Sequence, residues 1–104
     1  RKRKNQMNEE MAKQLDLVQR EREKQVELGY TNQYNKDINR KMQMSQAASW
    51  IVQYDDENFD KELSELVKPE GWDLKYWLSL CQKPYKERLK IAAALIIAEM
   101  ERVE

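Results

Sequence analysis

Glycine and proline occur only four times in this chain, at Gly29, Pro69, Gly71 and Pro84. Between them run long stretches with nothing to interrupt a helix. No segment alternates β-branched and polar residues with the period of two that a half-buried strand requires. The expected fold is therefore all-α: a small helical bundle with a long polar, partly coiled-coil-like N-terminal helix. At 104 residues the chain has room for one compact domain.

Asn5 to Leu28 contains no Gly or Pro and almost no β-branched residue, so its helix propensity is high throughout. Glu9–Lys13 and Asp16–Arg20 are acid-before-base pairs at i,i+4, each worth roughly 0.2–0.5 kcal/mol. An apolar seam starts at Met7, Met11, Leu15 and Val18, then fades where Glu21, Arg22 and Gln25 follow. A coiled coil needs three or four apolar heptads, and this seam falls short of that. Gly29 carries the signal of a residue just past a helix end. Apolar residues concentrate after this point, which divides the chain into a charged helical arm, 1–35, and a compact helical domain, 36–104, expected to fold without the arm.

Within the domain, a second helix is expected over about Lys36–Tyr54. A third, capped by Asp55 or Asp56, carries the stripe Phe59, Leu63, Leu66 and Val67 and ends at Lys68-Pro69-Glu70-Gly71. Asp73 caps a fourth, with the stripe Leu74, Trp77, Leu78 and Cys81. Pro84 suits the first turn of the last helix, because its missing N–H costs nothing there. That helix runs from Tyr85 to near the chain end and contains Ile91-Ala-Ala-Ala-Leu-Ile-Ile-Ala, apolar almost all round. It is expected to be the central element, buried on several sides.

The chain has no histidine and one cysteine. Ser-His-Asp and Cys-His nucleophiles, His-based metal sites and the commonest general base are thereby excluded, as is a cysteine-built zinc site. Neither nucleotide-binding glycine fingerprint occurs. The acidic cluster Asp55, Asp56, Glu57 and Asp60 lacks the alternating ligand pattern that wraps calcium, and reads as helix-capping acids. No enzyme activity, cofactor, metal or small-molecule substrate is expected. Cys81 reads as a small buried hydrophobe. It cannot form an intramolecular disulfide, so an intracellular setting, cytoplasmic or nuclear, is expected. The apolar run Ile91–Ala98 is far shorter than the roughly 20 residues of a membrane span, and no membrane partner is expected. The chain begins with Arg1 instead of Met, as a piece of a longer protein would.

Binding remains as the function. The main expectation is a protein–protein interaction or assembly module, a subunit or adaptor. Its arm would present Met7, Met11, Leu15 and Val18 to a second copy or another protein. Tyr30, Tyr34 and Tyr76 lie off the main stripes and Trp72 stands outside a helix, so these rings are candidate contacts as well. The alternative is a nucleic-acid-binding accessory protein. Through Lys24 there are eight Lys and Arg against five Asp and Glu, a net +3, and beyond it eleven against fourteen, a net −3. Arg1, Lys2, Arg3, Lys4, Lys13, Arg20, Arg22 and Lys24 would then form an electrostatic arm.

Overall fold

The computed structural model describes the backbone of residues 2–104 and the side chains of residues 8–104. Six helices follow one another: α1 (Lys2–Glu27), α2 (Asn32–Ile38), α3 (Gln43–Ile51), α4 (Lys61–Leu66), α5 (Leu74–Cys81) and α6 (Tyr85–Arg102). No strand occurs among the described residues. The all-α class follows from the scarcity of glycine and proline. None of these helices is long and apolar enough to cross a membrane.

Helix α1 stops where the glycine predicts. Gly29 takes φ +106°, and the Tyr30 and Gly29 amides donate to the carbonyls of Gln25 and Val26. That paired return to the last turn is the glycine-dependent C-terminal motif. The chain then reverses, and the Thr31 hydroxyl accepts from the Tyr34 amide to open α2. The division expected between residues 35 and 36 falls inside α2.

The single helix expected over 36–54 is instead two, α2 and α3, separated by Asn39–Met42. Met42 sits at φ +66°, a left-handed conformation that a non-glycine residue adopts only when its surroundings hold it there. Buried amides do the holding. Asn39 Nδ2 donates to Asn35 Oδ1 at 2.8 Å, while Asn39 Oδ1 accepts from the Trp72 indole at 2.9 Å. Gln43 Oε1 accepts from the Lys41 amide at 2.7 Å, tying the turn that precedes α3 to the helix's first residue. The Trp72–Asn39 bond spans 33 positions, and amide pairing of this kind leaves no trace in an apolar periodicity, so periodicity could not reveal the break.

The third helix is also corrected. Asp60, not Asp55 or Asp56, caps α4 by accepting from the Leu63 amide at 3.0 Å. Asp55 closes a local turn on the Glu57 amide and the Asn58 side chain. Asp56 reaches across to accept from the Tyr85 amide at 2.7 Å, capping α6 in place of the helix that follows it. The stripe Leu63, Leu66 and Val67 is exposed, Leu66 to 80%, and α4 turns Ser64 inward instead. Ser64 accepts from two indoles: its hydroxyl from Trp50 at 3.1 Å and its carbonyl from Trp77 at 2.7 Å. Two tryptophan N–H groups in the interior need acceptors, and that need decides which face of α4 is buried.

Helix α5 begins as expected, with Asp73 accepting from the Tyr76 amide. Helix α6 begins at Tyr85, immediately after Pro84. The core joins Met44, Ala47, Ala48 and Ile51 of α3 to Trp77, Leu80 and Cys81 of α5 and to Ile91, Ala92, Leu95 and Ala98 of α6. Alanines at 47, 48, 92 and 98 let α3 and α6 approach closely, while Trp77 fills the wider gap. Helix α6 is central, but not buried on all sides. Ile96 and Ile97 are exposed, which corrects the expectation for the whole Ile91–Ala98 run.

Candidate interaction surfaces

Helix α1 meets the body through its second half. Glu21, Arg22 and Gln25, where the apolar seam was expected to fade, are all buried. Arg22 Nε donates to Glu101 of α6 at 2.8 Å, and its Nη1 donates to the Tyr30 carbonyl at 2.9 Å. The seam therefore continues as a polar one, through Met11, Leu15, Val18, Arg22 and Gln25 at alternating spacings of four and three. Long polar side chains cover apolar surface with their stems while their heads find partners. A search for apolar residues alone misses them.

The first half of α1 runs past the body. Leu17 and Val18 are half-buried and, with Gln14, Lys86, Glu87, Leu89 and Lys90, line a groove between α1 and α6. Met11 (57%) and Leu15 (61%), further along the same face, are exposed. The side chains of Arg1, Lys2, Arg3, Lys4 and Met7 lie outside the described residues.

A second apolar face adjoins this groove, and the sequence reading did not isolate it. Leu89, Ala93, Ile96 and Met100 of α6, and Val103 at its C-cap, recur at spacings of four, three, four and three. Leu89 and Ile96 are exposed to 43% and 42%, Met100 and Val103 to 64% and 65%, and Ala93 is half-buried. The repeat was readable in the sequence. It was absorbed into an all-round apolar helix because nothing there showed how little of α6 the short helices could cover.

The candidate nucleic-acid residues are placed differently from one another. Arg20 is exposed and paired with Asp16 at 3.0 Å, Lys24 is exposed, and Arg22 is an interior residue bound to Glu101 and a backbone carbonyl. The aromatic candidates converge. Tyr30, Tyr34, Trp72 and Tyr76 line one cavity of about 190 Å³ together with Gln25, Asn35, Asn39, Met44, Gly71, Asp73 and Leu95. Gly71 at φ +82° makes the turn that delivers Trp72. Burial, with the neighbouring Tyr30 hydroxyl and Glu21 carboxylate, pushes the Tyr76 phenol up to about 12.

Among the described residues, no three His, Cys, Asp or Glu side chains are grouped to hold a metal ion. Cys81 is buried, and that burial pushes its thiol up from the usual value, away from the reactive thiolate. No protein-family model, curated protein or solved structure matches this chain.

Proposed function

We propose that this protein is a non-catalytic helical assembly subunit that pairs with a second copy of itself through the outer face of α6, flanked by the projecting half of α1. The carrying observation is the uncovered 4-3-4-3 repeat Leu89, Ala93, Ile96, Met100 and Val103. Such spacing keeps a seam facing a partner helix, and a row this long is more than scattered surface apolarity.

The repeat is self-complementary in the antiparallel sense. Two α6 helices so paired stack Leu89 on Met100 and Ala93 on Ile96, large against small in the middle layers. Lys90 then falls beside Ile97 of the second copy, and Ala92 beside Glu99, so no like charges face one another. The same arrangement carries the Met100 end of one α6 toward the Met11 and Leu15 end of the other subunit's arm. The nucleic-acid reading has less support: its described cations are Arg22, which is internal, Arg20, which is paired, and the exposed Lys13 and Lys24.

Disulfide trapping tests both the pairing and its direction. Ala93→Cys chains mixed with Ile96→Cys chains should cross-link under mild oxidation in preference to either chain with itself, with the buried Cys81 silent. Preferential self-cross-linking would indicate parallel pairing, and no cross-link at all would remove the assembly reading.

A further inference from the structure

The cavity at Tyr30, Tyr34, Trp72 and Tyr76 shares no residue with the α6 repeat, and its chemistry is specific. Four rings follow one another around its wall. Tyr34 meets Tyr30 edge-on with centroids 5.5 Å apart, Tyr30 meets Tyr76 at 6.0 Å, and Tyr76 meets Trp72 at 6.4 Å. Asp73, whose carboxylate caps α5 through the Tyr76 amide, joins the lining, and neither Lys nor Arg does. The Arg22 guanidinium is held on the Tyr30 carbonyl and Glu101.

Polar groups deeper in the cavity divide into two kinds. Asn35 and Asn39 are bound to each other, to the Tyr30 carbonyl and to the Trp72 indole, and so fix the wall. Gln25 is 5% exposed and lines the same cavity, where its amide stands apart from that asparagine network.

We infer that this cavity is an aromatic cage for a methylated ammonium group, with the π faces and the Asp73 carboxylate attracting the cation and the Gln25 amide meeting the group that carries it. Aromatic rings present negative faces, and a ring-walled pocket without a competing cation is the arrangement that selects quaternary ammonium over neutral ligands. The volume sits below the roughly 300 Å³ at which sites for drug-sized molecules begin, which suits a headgroup or a side-chain tip. Choline and the methylated lysine of a protein present the same chemistry to such a cage.

The full chain, titrated with choline, with free trimethyllysine and with the neutral isostere 3,3-dimethylbutan-1-ol, tests the inference by two-dimensional NMR. Saturable shifts are expected at the Trp72 indole N–H and the Gly71–Tyr76 amides. The isostere is expected to bind roughly tenfold more weakly than either cation. Whichever cation binds tighter identifies the source of the group. Tyr34→Leu removes one ring at a partly exposed position, and should weaken choline at least severalfold while the unfolding midpoint is kept. Equal binding of the isostere, shifts that avoid the cavity, or an unaltered choline affinity in a folded Tyr34→Leu protein would each overturn the cage.

Discussion

Arg88 is the residue whose importance was least visible in the sequence, where it is one charge among many. In the structure it is 1% exposed, with Nε donating to the Lys83 carbonyl and Nη1 to the carbonyls of Ile51 and Tyr54. Its Nη2 donates to Asp56 at 2.8 Å, and its guanidinium lies over the Tyr54 ring, 4.3 Å from the centroid. It ties the end of α3 to the start of α6. Arg88→Met keeps the stem but leaves three carbonyls without a donor, and should cost about 3–5 kcal/mol in a urea melt. Arg88→Lys should recover little of that, because one ammonium cannot reproduce the fork. The central helix separates its own faces in the same way. Leu95→Ala should cost about 2–5 kcal/mol, since Leu95 packs in the core, whereas Ile96→Ala on the outer face should cost well under half as much in the monomer. Tyr76 adds a pH dependence. Its folded phenol is raised to about 12 from an ordinary value of 10.0. A raised value means its contribution is complete below the unfolded value and is lost as pH climbs toward the folded one. The denaturant midpoint should therefore fall between about pH 10 and pH 12, and Tyr76→Phe should flatten that fall.

At the scale of elements, what the sequence revealed depended on where each helix found its partners. Helices α5 and α6 and the end of α1 were legible because Asp73, Pro84 and Gly29 act locally, on amides and dihedral angles within one turn. The break between α2 and α3 and the inward face of α4 were not. Asn39 and Ser64 are placed by indoles that lie 33 and 13–14 positions away in the chain. Helix α1 shows both cases at once. Its stop was readable, while its docking face, built on Glu21, Arg22 and Gln25, looked like the loss of a seam. Of the candidate contacts, the aromatic set was legible as residues off every stripe, but the α6 repeat was not separated from the core it adjoins. The docking has a consequence for truncation. Removing residues 1–12 should leave the unfolding midpoint unchanged, since Met11 and its neighbours are exposed. Removing 1–31 should lower it by several degrees, because the Arg22–Glu101 pair and the buried Glu21 and Gln25 go with it. Equal midpoints for the two truncated chains would show that the arm contributes nothing to the body.

For the whole molecule, the economy of the fold explains its surface. Four of the six helices have nine residues or fewer, and short helices cannot wrap an 18-residue one. Helix α3 takes one side of α6, the second half of α1 takes another, and the side carrying Leu89, Ile96, Met100 and Val103 is left to water. On the proposed reading, a second copy covers that side. Sedimentation velocity over a wide concentration range tests it most directly, with the native chain run beside Ile96→Glu/Met100→Glu and Met11→Glu/Leu15→Glu. A concentration-dependent dimer is expected for the native chain. A monomer is expected for the α6 variant and weakened dimerisation for the arm variant, each variant keeping the unfolding midpoint that the native chain shows when dilute. A native chain that stays monomeric throughout, or an α6 variant that dimerises as well as the native chain, would contradict it.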